Sequence, residues 1–225
     1  MPRKYVLLLV LSLSIIALDQ WTKFLAVGEL TSLFDQPRIG SVEPGSDGQL
    51  STGGKLKVFL GDPPPPGVDG LHFRPKRMVT VSDDFFRFRY AENPGAAFSL
   101  FGDLPPHVRG PFFHIISIGA VLLILLYFRK LDGKDPTHRW AVWGLPLVLG
   151  GAVGNYVDRI ARGFVIDFLE AHWMHQAYWP AFNIADSAIC VGVGLLLVDG
   201  FLRKEPAVEA EKLAKQTKGA KAKAS

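Results

Sequence analysis

The sequence predicts an α-helical integral membrane protein: four transmembrane helices, with a small extracytoplasmic β-sheet region in the first outer loop. Three observations point there. The 225 residues are 48% hydrophobic with a mean hydropathy of +0.20, and the apolar residues are clumped rather than periodic. They fall into four segments, each close to the roughly 20 residues that a spanning helix needs. Between the first two segments lies a long polar stretch holding short runs of alternating apolar and charged residues, the pattern of half-buried strands.

The expected spans are residues 5–26, 108–128, 140–157 and 184–202, in one membrane-embedded domain covering residues 1–225. The first span has a basic start at Arg3 and Lys4, as a secretory leader would. Residues 14–17 make a poor cleavage site, and apolar character resumes after Asp19 in Trp21, Phe24 and Leu25, so an uncleaved helix is expected. The third span is the weakest by composition because Gly and Pro interrupt it. Its run Gly150, Gly151, Ala152 and Gly154 predicts a close helix contact, since small residues let backbones approach. Basic residues set the orientation. Arg3 and Lys4, then Arg129, Lys130, Lys134 and Arg139, then Arg203 and Lys204 all fall on one side of a four-span arrangement. That side is read as cytoplasmic, with both termini inside and residues 27–107 and 158–182 outside.

The outer loop is rich in Gly and Pro over residues 37–68. Strands are expected at residues 55–60, 77–82 and 84–90. The last places Phe86, Phe88 and Tyr90 on one face and Arg87 and Arg89 on the other. Residues 40–70 read as a surface loop with no part in chemistry, because lengthening such a loop costs little closure entropy. Asn93-Pro94-Gly95 is a turn signal. The Ala/Lys-rich tail, residues 203–225, reads as solvated or lipid-touching, and the net charge of +4 requires no nucleic-acid partner. Cys190, the single cysteine, is expected as a buried apolar thiol, and no disulfide forms within the chain.

Chemistry is expected where acids meet apolar segments, because an ionisable residue beside the bilayer is costly and marks function. Asp167 follows a turn at Gly163, and Asp186 lies in the first turn of the fourth span. Neighbouring third and fourth spans would let the two face each other near the outer surface. Two such carboxylates retain one proton between them: one activates water, the other polarises a carbonyl. The competing reading makes Asp186 a first-turn helix acid, although Asn183 is the better N-cap candidate. Asp158 beside Arg159 reads as structural, an ion pair or a hydrogen-bond partner in the site wall, and Asp19 with Lys23, four apart on the first span, as an interfacial salt bridge. Glu170, His172 and His175 lack metal-protease spacing, and the aromatic residues Trp173, Tyr178 and Trp179 around them suit a membrane interface. No metal or cofactor is expected. A small transporter would also place acids on membrane helices, but near the midplane and often with an internal repeat. A non-catalytic binding scaffold without the two acids is the other alternative.

These residues carry a resemblance. The elements Asp19-Gln20-x-x-Lys23, Asn93-Pro94-Gly95-Ala96-Ala97-Phe98, Gly150 to Arg159 with Gly163 and Val165-x-Asp167-Phe168, and Phe182-Asn183-x-Ala185-Asp186 occur in this order around four spans. The chain thereby resembles the bacterial lipoprotein signal peptidase (signal peptidase II) family. The resemblance implies an inner-membrane aspartic endopeptidase. Its partners would be diacylglyceryl-modified prolipoproteins and membrane lipids, it would cut just before the lipidated cysteine, and it would act as a monomer. It puts the catalytic pair on Asp167 and Asp186, and substrate-lining or supporting roles on Asn93, Gly95, Asn155, Asp158, Arg159, Asn183, Asp19 and Lys23. The stretch from 37 to 76 is longer than the family's usual connection, and the tail is extra.

Overall fold

The computed structural model describes residues 2–35, 42, 49–61, 63, 65–67, 70–95, 100–133 and 135–202. The elements in chain order are α1 (Arg3–Leu30), α2 (Thr52–Leu60), β1 (Val79–Ser82), β2 (Phe86–Asn93), α3 (Pro106–Lys130), α4 (Arg139–Arg162), β3 (Val165–Trp173), β4 (Ala177–Tyr178) and α5 (Ile184–Leu202). Helices α1, α3, α4 and α5 are each long and apolar enough to cross a bilayer. Arg203 and the rest of the tail lie outside the described residues, as do Ala96 to Phe98 and Lys134.

Helix α4 is the least apolar of the four, and it is the one the others pack around. Its most apolar stretch is 56% buried by protein, against 11% for α3, so protein rather than lipid covers its polar face. Small residues permit this. A Cβ on Gly151 would overlap the Ala185 carbonyl of α5 and lie 2.7 Å from the Ile189 side chain, while one on Gly150 would lie 2.8 Å from Ile15 of α1. The expected close contact is therefore present on both sides of α4. The helix runs one turn beyond the expected end at residue 157, so Asp158 and Arg159 belong to its last turns rather than to a loop. Gly163 stops it with φ of 78°, the left-handed conformation that glycine adopts without strain.

The sheet is four-stranded and antiparallel in the order β1-β2-β3-β4. It is larger than expected, because half of its strands come from the connection between α4 and α5. Strand β3 gives no alternating signal, since Val165, Ile166, Asp167 and Phe168 are all buried. A strand covered on both faces loses the period-two pattern. The β2–β3 register pairs Asn93 with Val165 and Ala91 with Asp167, and an irregularity between Phe88 and Ala91 shifts the ladder. The connection between α1 and α3 thus meets the candidate acid through main-chain pairing.

Residues 55–60 form a helix, not a strand. Ser51 caps α2 by accepting a hydrogen bond from the Gly54 N–H at 3.1 Å. Two glycines in the first turn hide the helix from propensity. Val58, Phe59 and Leu50 are buried with Val27, Leu30, Phe73, Tyr90, Phe164 and Ile166 in a core above the membrane helices. The stretch 40–70 is therefore not wholly a surface loop. Cys190 is exposed on the outer face of α5, contrary to the expected buried thiol.

The glycine contacts give the first prediction. Gly151→Val should lower the thermal unfolding midpoint of the detergent-solubilised protein and its yield, since overpacking against backbone costs about 1–3 kcal/mol or more. Gly119→Val, where a Cβ meets nothing within 4 Å, should leave the midpoint unchanged.

Candidate active site

The site starts from two charges on α1. Asp19 and Lys23 are each 0% exposed, and Lys23 Nζ lies 2.7 Å from Asp19 Oδ2 and 2.8 Å from Asp158 Oδ2 of α4. Arg162, one turn after Asp158, pairs with its other oxygen. The cluster holds two carboxylates and two cations, so no net charge is buried. The remaining acceptor capacity is used. Ala185 N–H donates to Asp19 at 3.0 Å, Ile166 N–H donates to Asp158 at 3.1 Å, and Gln20 Nε2 donates to Asp158 at 2.8 Å. These bonds fix the start of α5, the start of β3 and the end of α4 against α1. Asp19 and Lys23 are thus a buried pair rather than an interfacial one. Asp158 pairs with Lys23 and Arg162 rather than with Arg159. Sequence reasoning missed Arg162; its signal was the i,i+4 spacing from Asp158.

Next comes a layer of amides. Lys23 also donates to Asn155 Oδ1 at 3.2 Å, which leaves the Asn155 Nδ2 group to donate to Asp186 Oδ1 at 2.7 Å. Asn183 Nδ2 donates to Asn155 Oδ1 at 3.1 Å and to Asp167 Oδ1 at 2.7 Å. Asn183 is also the N-cap of α5. Its Oδ1 accepts from the Asp186 N–H at 3.0 Å, and Asp186 Oδ2 accepts from the Asn183 N–H at 3.1 Å. This reciprocal arrangement is a capping box. The helix-acid reading of Asp186 is therefore realised by one oxygen, while the other accepts from Asn155.

Asp167 stands on β3, 2% exposed, held on its second oxygen by Asn93 Nδ2 at 3.2 Å. Burial raises its carboxyl pKa, and the nearby Asp186 charge raises it further, against the amides of Asn183 and Asn93, which lower it; the result is about 7. Asn93 also accepts the Gly95 N–H at 3.0 Å, and Arg159 donates to the Gly95 carbonyl at 2.7 Å and to the Asn155 carbonyl at 3.3 Å. The Arg159 guanidinium rests over Phe113 of α3, 4.7 Å from the ring centre. All ten candidate residues meet in one connected constellation drawn from α1, β2 and its following turn, α4, β3 and α5.

The second cluster does not join it. Glu170 pairs with Arg87 and Arg89, while His172 stacks on His175 with ring centres 5.0 Å apart. Among the described residues, no group of three or more His, Cys, Asp or Glu side chains stands together in a metal-binding arrangement.

Comparison with known proteins adds the family. Residues 68–202 match the family model described as signal peptidase (SPase) II. The chain belongs to the signal peptidase II family. Signal peptidase II proteins cleave signal peptides from prolipoproteins. The lipoprotein signal peptidase of Anaeromyxobacter sp. (strain Fw109-5) is 42% identical over 199 residues, covering 87% of this chain and 84% of that protein. That of Geobacter sulfurreducens is 47% identical over 129 residues, covering 57% of this chain and 76% of its own length. A solved bacterial membrane enzyme shares the fold at 21% identity with a TM-score of 0.56, covering 88% of each chain. The family match begins after α1, yet α1 supplies Asp19, Gln20 and Lys23 to the buried network.

Removing one partner from that network should be severe. Lys23→Met would leave Asp19 and Asp158 facing each other without a cation between them. A loss of about 3–5 kcal/mol is expected, read as a large fall in the unfolding midpoint in detergent.

Proposed function

We propose that Asp167 and Asp186 are the catalytic dyad of an aspartic endopeptidase that removes the signal peptide from diacylglyceryl-modified prolipoproteins, cutting just before the lipidated cysteine. The observation that carries this is Asn183. One side chain binds Asp167 directly and holds Asp186 through the capping box, so both carboxylates are fixed in one place. With its pKa raised to about 7 by burial and the Asp186 charge, the Asp167 carboxyl retains a proton into the neutral range, and that proton serves the pair.

The steps follow from that proton. The ionised carboxylate takes a proton from water as the oxygen attacks the scissile carbonyl, and the protonated one donates to the carbonyl oxygen. The tetrahedral intermediate collapses with proton transfer to the leaving nitrogen. The C–N bond breaks, leaving the signal peptide with a new carboxyl group and the lipidated cysteine with a free amine. Water is the only co-reactant, and the dyad ends with one proton, as it began. Asn93, Asn155 and Asn183 act as fixed amide donors that keep the carboxylates oriented. Arg159 holds the Gly95 carbonyl, and so the turn beside Asp167.

The placement proposed is a multi-pass protein of the bacterial inner membrane, acting as a monomer. The end bearing Arg129, Lys130 and Arg139 is cytoplasmic, and the dyad lies near the outer surface. Fusions of a compartment-sensitive reporter after Lys130 should read cytoplasmic, and near His175 external; the reverse would invert the active site.

Asp167→Asn and Asp186→Asn should each lower kcat on a diacylated prolipoprotein peptide by several orders of magnitude at unchanged protein level. Substantial turnover in either well-folded variant overturns the assignment. The pH dependence has a defined sign. Asp167 has a native pKa of about 7 against 3.8 unfolded, so the native state binds more protons between these values. Its contribution to stability is therefore greatest below pH 3.8 and declines as pH rises through 7. Asp167→Asn should stabilise the protein at pH 8 relative to wild type, and flatten this part of the unfolding-midpoint profile. In the wild type, kcat/KM should fall on the alkaline side as the shared proton is lost.

A further inference from the structure

Helix α3 is the least covered by protein of the four and carries one ionisable side chain between Arg109 and Tyr127, His114. Nothing in the dyad chemistry uses it. The ring is half-buried, and its Nδ1 is enclosed by protein with no hydrogen-bond partner. It packs edge-on against Tyr156 of α4, with ring centres 5.6 Å apart. Tyr156 directly follows Asn155, which holds Asp186, and Phe113 beside His114 carries the Arg159 guanidinium. His114 therefore sits at the depth of the dyad, one helix away from it, on the seam between α3 and α4.

The enclosed nitrogen decides the tautomer. A buried N–H without an acceptor is rarer and costlier than a buried acceptor without a donor. A ring carrying one N–H thus keeps its lone pair on the enclosed Nδ1 and its proton on Nε2. That donor lies on the part of the half-buried ring that the protein does not enclose, and it takes an acceptor from outside the chain. Glycerol ester carbonyls are the acceptors that membrane chemistry supplies at this depth. The diacylglyceryl group of the proposed substrate brings two of them, attached to the residue that follows the scissile bond, and so a few bonds from the dyad.

Resting on the prolipoprotein reading, we propose that His114 is a substrate-binding residue that donates a hydrogen bond from Nε2 to an ester carbonyl of the substrate's diacylglyceryl group. It thereby selects ester-linked chains and draws them into the α3–α4 seam. The acceptor belongs to the substrate rather than to a surrounding phospholipid, because the lipidated residue must come to rest at the level of Asn155 for cleavage to occur.

The test compares two peptide substrates in a maltoside detergent, which contains no ester. One carries the diester, the other a diether analogue of the same chain length. For the wild type, KM for the diether should be about fivefold higher than for the diester, with similar kcat, the size of one neutral hydrogen bond. His114→Leu should raise KM for the diester to the diether value, leave kcat within about twofold, and abolish the discrimination. His114→Asn, which keeps a donor near the ring position, should recover part of it. Unfolding midpoints separate these effects from misfolding; should the Leu variant fail to fold, the wild-type comparison and the Asn variant still decide. Equal KM for diester and diether in the wild type overturns the assignment. So does a His114→Leu variant that keeps the discrimination, or one that loses kcat equally on both substrates. Discrimination that emerges only when ester phospholipid is exchanged for ether phospholipid around the protein also overturns it, assigning the acceptor to bulk lipid. A wild type that cleaves no diacylated peptide overturns the prolipoprotein reading as well.

Discussion

The buried ion cluster at the heart of α4 is the constraint on which the rest depends. Asp19, Lys23, Asp158 and Arg162 bring two positive and two negative charges into the protein interior. Such a cluster is tolerable only when every charge is paired and the spare lone pairs are bonded. Meeting that condition recruits the Ala185 and Ile166 N–H groups. One lies at the entrance to α5 and the other at the entrance to β3, directly beside Asp186 and Asp167. The cost of burying charge is therefore offset by bonds that also locate the two acids. A perturbation of the cluster cannot remain local, because its members are the attachment points of the elements carrying the dyad.

Asparagine serves as the intermediate between this charged cluster and the acids. An amide offers a donor and an acceptor on one rigid plane without adding charge. Lys23 engages the oxygen of Asn155, which turns its NH2 group toward Asp186. Asn183 points its NH2 group at Asp167 while its oxygen caps α5. The orientation of each amide is thus set by a neighbour, and the charge of Lys23 is relayed as hydrogen-bond direction. A carboxamide in place of a cation also leaves Asp167 with the high pKa that burial and Asp186 impose.

The outer segments are coupled to the same centre. Strand β3 carries Asp167 in the interior of the sheet, and β2 delivers Asn93 beside it through the antiparallel register. Helix α2 covers this arrangement from above. The Phe59 carbonyl accepts from Arg162 at 2.6 Å, so the Gly- and Pro-rich connection ends in direct contact with the ion cluster. Length in that connection is inexpensive, but the part that folds back is core.

The sequence by itself determined the four spans, their order and the family pattern, because hydropathy and short motifs are local properties. It also placed Asp167, Asp186, Asn155 and Asn183 at segment ends, where acids and amides in apolar surroundings signal function. The tertiary structure alone decided which charges pair. The adjacency of Asp158 and Arg159 left their partners open, and helix geometry turns Asp158 toward α1 and Arg159 toward α3. Strand β3 was illegible because burial on both faces erases alternation, and α2 because its glycines mask a helix held by tertiary contacts. The bond from Ala185 to Asp19 joins residues 166 apart in the chain. Partners at that distance are chosen by how helices pack around Gly150, Gly151 and Gly154, a three-dimensional outcome that no local periodicity records.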